Sequence, residues 1–347
     1  MSGADAGTML ALVHGGAPGL DGLRVVRTAR PEAGAGRVLV SIDYAGLNRH
    51  ELFTALRRDG SEPDQILGAD AVGRIVDATD GRRADSPVPG ERVLLDPTLN
   101  WPERAIVPEH PDILGGRAPG TFAEYVTVPE ANVHLAPAHL TGPEAGALGL
   151  GAVTAYRALF SVGGLAAGEH VLIPGIGSGV GLLALDLAVA AGARVSVTSR
   201  SAEKREFALA RGADAAMASD EIESAELAPV DLVIDTVGAA SVPAALGRLR
   251  PGGRLVTLGA TTGAEIGLSL RRLFFAQVAI LGTSVGSAEE FRSMLEFVRE
   301  HRIRPVIDAV HPLESAAAVI RASADGRSLG KTVFRMPGAA DTEGVHS

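Results

Sequence analysis

Gly175, Gly177, Gly179 and Gly181 crowd into one short stretch, with Ser178 and Val180 among them. Glycines let a backbone turn sharply and let a pyrophosphate come close, and the N–H groups opening a following helix then face the phosphates. The strict G-x-G-x-x-G template, laid on Ile176 to Gly181, keeps only its final glycine, and a glycine turn that binds nothing would share these residues. A second group sharpens the reading. At the end of the next apolar run stand Ser199, Arg200 and Ser201, with Lys204 one turn later. A chain that reads NAD usually places Asp or Glu there, on the ribose 2′-hydroxyl. Two hydroxyls and two cations suit a 2′-phosphate through charge-assisted hydrogen bonds. Cations at a helix N-terminus work against the macrodipole unless an anion lies between them. The pattern therefore predicts NADP(H), although a solvated helix start would show the same cations.

These residues need a scaffold. Val171 to Ile173 is a short strand. Val180, Leu183, Ala184 and Leu187 share one helical face, Gly192 stops that helix, and Val195 to Thr198 is a second strand. Strand, glycine turn, helix and strand form a dinucleotide-binding unit. The alternation continues: a helix around Glu203–Arg211, strand Leu232–Ile234, helix Val242–Leu249, strand Leu255–Leu258, strand Val278–Leu281 and helix Glu289–Glu300. It predicts an α/β fold with a doubly wound parallel sheet covered on both faces. The N-terminal part is β-rich, with Met9–Val13, Leu23–Thr28, Val38–Tyr44, Ala71–Asp77, Arg92–Leu95 and Phe122–Val128 as strands and 48–58 as a short helix. Tyr44 falls in an alternating strand and reads as core. A long Pro- and Gly-rich connection, 96–120, surrounds Trp101, and Gly142–Phe160 reads as helical. Residues 305–335 return to strand, helix Leu313–Ala324 and strand Thr332–Arg335; the small, polar tail from Pro337 to Ser347 is expected to be disordered.

With 347 residues the chain has room for two cores. Its net charge of −9 argues against nucleic acid or an anionic membrane as a partner. It has no cysteine, which removes disulfides and thiolate-held zinc. The first residues lack a basic start and an apolar core, and no stretch is long and apolar enough to span a bilayer, so a cytoplasmic protein is expected.

Several stretches in this order are similar to one family: AGLNRHEL (45–52), ILGADAVGRI (66–75), PGTFAEYVTVP (119–129), GAVTAYRAL (151–159), VLIPGIGSGVG (171–181), SR with EKREFA (199–208), LVIDTVG (232–238) and GKTVF (330–334). The chain resembles the medium-chain dehydrogenase/reductases, in their zinc-independent, quinone-oxidoreductase-like branch. The resemblance implies a GroES-like β-rich catalytic domain over 1–135, a Rossmann NADP(H)-binding domain over 136–304, and a return to the catalytic domain over 305–347. It also implies a homodimer through the Rossmann edge strand, Gln277 to Thr283, whose exposed edge needs cover. Zinc-dependent members carry Cys, His, an acid and Cys where this chain has Asn48, Ala69, Asp70 and Leu150, so no metal is expected. The catalytic Tyr of many enoyl reductases has no counterpart in 57–65.

The resemblance places Asn48-Arg49-His50-Glu51 along the substrate cleft. Arg49 falls where relatives put a basic residue on the pyrophosphate. His50 takes the place of a proton-relay hydroxyl, and histidine readily donates a proton near neutral pH; a surface histidine is the plainer alternative. Asn48 orients substrate or nicotinamide, or caps its helix. Asp70 serves as a second acid or, preferably, as partner to Arg49. Thr154 matches a nicotinamide contact. Gly238, Gly259, Thr283 and Ser284 follow Rossmann strands at the ligand-binding edge. Lys331 reaches the cofactor or ends a strand, and Trp101 and Phe274 are candidate pocket walls. Without zinc, charge on the substrate must be delocalised or hydrogen-bonded. The expected activity is NADPH-dependent hydride transfer to a quinone or α,β-unsaturated carbonyl. The competing readings are a biosynthetic tailoring enzyme that reduces or cyclises one intermediate, and a cofactor-binding protein without turnover.

Overall fold

The computed structural model describes residues 7–78, 86–323 and 328–339. The first six residues and the tail beyond 339 lie outside the described residues, as do most of the positions on which the tail was expected to be disordered. The chain divides into two compact units, one built from 1–150 and 287–347, the other from 151–286.

The first unit is β-rich. Its main sheet runs in the order Val133–Leu135, Arg92–Leu95, Val72–Ala78, Arg37–Gly46, Lys331–Arg335, Ile307–Pro312, with Tyr125–Pro129 also pairing with Arg37–Gly46. Leu23–Ala29, Thr8–His14 and Gln65–Ile66 form a smaller sheet. Alternating apolar residues of these strands meet in one core, where Leu12, Val40, Ile42, Leu67 and Leu95 surround an edge-to-face pair, Phe122 and Phe334, with ring centroids 5.1 Å apart. Tyr44 is core, as its strand position implied.

One strand junction organises the chemistry. Arg37–Gly46 runs antiparallel to both Val72–Ala78 and Lys331–Arg335, its partners beyond Tyr125–Pro129. Its C-terminal end therefore meets the N-terminal ends of both: Tyr44 pairs with Val72, and Gly46 with Val333. Asn48, Asp70 and Lys331 lie within two residues of these three ends.

The second unit is a six-stranded, all-parallel sheet in the order Ala215–Met217, Arg194–Thr198, His170–Ile173, Val230–Asp235, Leu249–Thr257, Ala279–Gly282. Numbered along the chain this is 3-2-1-4-5-6, the Rossmann order, which reverses beside the strand that leads into the glycine turn. The helix after that turn, Gly179–Ala190, is buried from Gly181 through Ala188, so more than the single expected face is packed. Within it Asp186 takes a bidentate ion pair from Arg211, at 2.7 and 2.8 Å, which ties this helix to the end of helix Ala202–Ala210.

The unit boundaries differ from those expected at 135/136 and 304/305. Helix Gly142–Gly146 packs so closely on the first unit's sheet that a Cβ on Gly142 would lie 2.3 Å from the Tyr44 ring. Helix Ala288–His301 also belongs to the first unit, where Phe291 stacks on His134 and Glu289 accepts from the backbone of Arg104. The expected helix 142–160 is two helices, Gly142–Gly146 and Gly149–Tyr156, followed by a π-helical turn over Arg157–Val162. Strand Ala215–Met217 had no signature, being short and alanine-rich.

Candidate active site

In the Rossmann unit the glycine turn has the conformation that its sequence requires. Gly175 and Gly177 have φ of +69° and +120°, and a Cβ on Gly177 would lie 2.5 Å from Cδ of Lys204. The Lys204 stem therefore lies directly on the turn. Ser178 caps helix Gly179–Ala190, its hydroxyl accepting from the Gly181 N–H at 3.1 Å, and Val180 opens the helix. The turn is pinned to the second strand: Ile176 N donates to the Thr198 carbonyl at 2.8 Å, and Gly175 N to Thr198 Oγ1 at 3.2 Å. At that strand's end Ser199 is buried and Arg200 exposed. Ser201 caps helix Ala202–Ala210, and Arg205, which the sequence did not single out, donates to the Ser199 carbonyl at 2.8 Å. Hydroxyls, cations and free helix-terminal N–H groups at the end of the first two strands fit the phosphates of a dinucleotide.

The far side of the sheet is organised by Asp235, also missed. It is fully buried and accepts from the N–H groups of Val237 and Gly238 and from the hydroxyls of Ser241 and Thr257. Burial raises its pKa against those bonds. Gly238 (φ +94°) and Gly259 then come together, a Cβ on Gly238 lying 3.0 Å from the Gly259 carbonyl. Thr283 accepts from Arg157 Nε at 3.0 Å, Ser284 is exposed, and Thr154 is buried on its helix.

The first unit gathers a buried polar cluster at the strand junction. Asn48 Nδ2 donates to Asp70 Oδ2 at 3.0 Å, Lys331 Nζ donates to the same oxygen at 3.1 Å, and Lys331 Nζ also donates to Asn48 Oδ1, so three side chains close a triangle. The other carboxylate oxygen of Asp70 accepts from the Leu150 N–H at 2.5 Å. Asp70 and Lys331 are 0 and 4% exposed. Glu51, from the first turn of helix Arg49–Arg57, accepts from the Asn48 N–H at 2.6 Å with one oxygen, while the other is buried without a partner. Burial pushes Glu51 up to about 7, opposed by the Lys331 charge and reinforced by that of Asp70. His50 is half-buried with Nε2 unpartnered; burial lowers its pKa, and the Asp70 charge acts in the other direction.

Two expected roles are corrected here. Arg49 does not pair with Asp70. Helix Arg49–Arg57 buries Glu51, Leu52 and Ala55 and turns Arg49 outward with Phe53 and Leu56, so Asp70 takes Lys331 instead. Lys331 does not merely end its strand; its ammonium is the counter-ion of Asp70 inside the first unit. Asn48 does hold the N-cap position, in a capping box with Glu51, and its side chain also bonds Asp70 and Lys331. Of the candidate pocket walls, Trp101 is core and donates to the Glu103 carbonyl at 2.8 Å, while Phe274 is 60% exposed on a helix without buried residues.

A GroES-like unit interrupted in sequence by a Rossmann unit, with a dinucleotide turn in one and a buried polar cluster in the other, defines a nicotinamide-dependent oxidoreductase scaffold. Residues 34–138 match the family model described as alcohol dehydrogenase GroES-like domain, and 179–300 that described as zinc-binding dehydrogenase. The zinc-type alcohol dehydrogenase-like protein YogA of Leptosphaeria maculans is 32% identical over 89% of this chain and 93% of its own length. Acryloyl-coenzyme A reductase of Sulfurisphaera tokodaii is 27% identical over 90% of this chain and 96% of its own. A crystal structure of an NAD-dependent alcohol dehydrogenase superposes with a TM-score of 0.85 and 31% identity, covering 95% of this chain and all of that one. The chain belongs to the medium-chain dehydrogenase/reductase superfamily, whose members use a nicotinamide cofactor. Among the described residues no helix is long and apolar enough to cross a membrane.

The zinc in that family description does not fit the residues present. At the positions the resemblance gives to metal ligands, Asn48, Ala69 and Leu150 offer neither thiolate nor imidazole, and both oxygens of Asp70 are engaged. Among the described residues no three His, Cys, Asp or Glu side chains are grouped to hold a metal.

Proposed function

We propose that this chain is an NADPH-dependent oxidoreductase that transfers hydride, without a metal, to a quinone or an α,β-unsaturated carbonyl. The observation that carries the reading is the Asn48–Asp70–Lys331 triangle, which puts a fixed ammonium where the metal ligands of zinc-dependent relatives would lie. The bound nicotinamide supplies hydride. A conjugated acceptor suits a site without a Lewis acid, because the incoming charge spreads through the substrate. His50, with Nε2 unpartnered, supplies the compensating proton. Its lowered pKa makes the imidazolium a stronger acid but a scarcer one, so turnover falls as pH rises past that lowered pKa, on the acid side of an ordinary histidine. Ser199, Arg200, Ser201 and Lys204 favour NADPH over NADH, since no carboxylate stands at that strand end to repel a 2′-phosphate. The relative named for acryloyl-coenzyme A reduction adds support for an unsaturated carbonyl substrate.

The test is loss of nicotinamide absorbance with NADPH and NADH in parallel, against a panel of quinones and enones. Turnover with NADPH and little with NADH is expected. Faster turnover with NADH would refute the 2′-phosphate argument, and none with either would refute the reductase assignment for simple acceptors.

The same reading includes a homodimer. Helix Leu270–Ala276 and the edge strand Ala279–Gly282 leave Leu270, Phe274 and Phe275 at 60 to 72% exposure, an apolar surface beside an unpaired sheet edge. Light scattering should report twice the chain mass, and the double substitution Phe274→Asp, Phe275→Asp should halve it.

A further inference from the structure

The Lys331 ammonium is built into the first unit like a structural ion but is incompletely satisfied. Its backbone is held in the sheet, the N–H donating to the Val306 carbonyl at 2.8 Å. Among the described residues its ammonium has two hydrogen-bond acceptors, Asn48 Oδ1 and Asp70 Oδ2. An ammonium has three donors, so one N–H is left over. Leaving a buried donor unmet costs about 1–3 kcal/mol, more when it is charged. The side chain is 5% exposed, so it lacks the hydrated surface around an ordinary lysine. Two more polar atoms are buried without partners: Glu51 Oε1, on a residue 1% exposed that feels the Lys331 charge, and His50 Nε2, on a residue that feels the charge of Asp70. Asp70, by contrast, has both oxygens engaged, by three donors. The cluster thus leaves one donor of a fixed positive charge for an acceptor oxygen to receive.

We propose that Lys331 is the electrophile of this enzyme: its third N–H receives the carbonyl oxygen of the substrate, and its charge, held by Asn48 and Asp70, stabilises the oxyanion formed during reduction. This rests on the proposed reductase activity. When bound, the reduced nicotinamide would supply hydride, with its two electrons, for the C–H bond formed at the β-carbon of the acceptor, and would itself be left oxidised. The C=C π pair moves to make the enolate, whose charge lies on the oxygen at Lys331. Lys331 keeps its proton throughout, and the α-carbon takes one from solvent by way of His50. Asn48 and Asp70 act as positioning residues for the ammonium.

The probe is 4-nitrophenol, whose phenolate is coloured and whose oxygen mimics the oxyanion. With the whole protein and NADP+ present, the bound phenol is expected to ionise at least about one pH unit below the free phenol, the shift produced by an adjacent opposite charge. Lys331→Met should abolish that shift, and Lys331→Arg, which keeps the charge and guards against a folding defect, should retain part of it. In turnover Lys331→Met should lose kcat by about 10²–10³-fold, the scale of losing one oxyanion donor, with NADPH affinity by fluorescence titration within about twofold. A wild-type protein that leaves the nitrophenol spectrum or its titration unchanged overturns the proposal, as does a Lys331→Met protein with the wild-type shift. Failure of every acceptor to oxidise NADPH refutes the reductase assignment separately, because the phenolate shift needs no turnover.

Discussion

Replacing Glu51 by glutamine should make the protein more tolerant of alkaline pH. In the unfolded chain this carboxyl ionises near 4.5; folded, it is pushed up to about 7 by burial. Between those values the folded state binds more protons than the unfolded state, so stability falls as pH rises through the window. At about 1.36 kcal/mol per pH unit, the full passage costs about 3 kcal/mol. The physical event is an unshared negative charge appearing beside Asp70, with Lys331 already engaged by that carboxylate and by Asn48. Asp96, buried with one unpartnered oxygen and pushed to about 7, adds a change of the same sign. Glutamine at 51 keeps an acceptor for the Asn48 N–H and removes the titration. Trp101, the only tryptophan, is buried in the same unit and reports its unfolding directly. Urea midpoints followed by its fluorescence at about pH 5.5 and pH 8.5 should fall steeply for the wild type and less steeply for Glu51→Gln. Because part of the window lies below pH 5.5, the change between these two pH values should differ between the two proteins by about 2 kcal/mol. Equal slopes for the two, or a wild type that gains stability toward alkaline pH, would refute the argument.

In the Rossmann unit, Arg211→Ala leaves the Asp186 carboxylate buried and unpaired, and should cost about 3 kcal/mol in a calorimetric or circular-dichroism melt. Arg200→Ala and Lys204→Ala should each raise KM for NADPH about tenfold, the scale of a charge-assisted hydrogen bond, and leave KM for NADH unchanged in parallel assays. Gly177→Ala forces φ of +120° on a residue with a side chain and drives its Cβ into Lys204, so NADPH affinity by fluorescence titration should fall at least about tenfold, for a strain on the order of 1–3 kcal/mol.

What the sequence made legible was whatever rests on local patterning. The glycine turn, the helix after it, the Ser199–Lys204 segment and the edge strand near Val278 are contiguous, and each carries its own backbone logic. The order of motifs also identified the two-unit architecture. What stayed hidden depends on pairing at a distance. Lys331 lies 261 residues from Asp70 and 283 from Asn48, and only the sheet order brings them together. Arg49 was the nearer candidate for Asp70, and the burial of Glu51, Leu52 and Ala55 on the opposite side of its helix excluded it. Asp235 and Arg205 matter for the backbone groups they satisfy, which no spacing rule reveals. The unit boundaries shifted because helices Gly142–Gly146 and Ala288–His301 choose their side by packing, through Tyr44 and His134, rather than by composition.

The place of strand Lys331–Arg335 also governs how this enzyme comes into being. The Rossmann unit is one unbroken segment and can finish folding while the chain is still being made. Strand Arg37–Gly46, made early, pairs over Arg37–Ser41 with Tyr125–Pro129, but its Tyr44–Gly46 end stays open on one side until residues more than 280 positions later arrive to pair with it. At about 5–20 residues per second this exposes the edge for on the order of tens of seconds during translation, and an open edge invites wrong partners. The same strand brings Lys331. Closing the sheet and charging the active site are thus one event, and a ribosome that stalls before it releases a protein with a completed nucleotide fold and no electrophile.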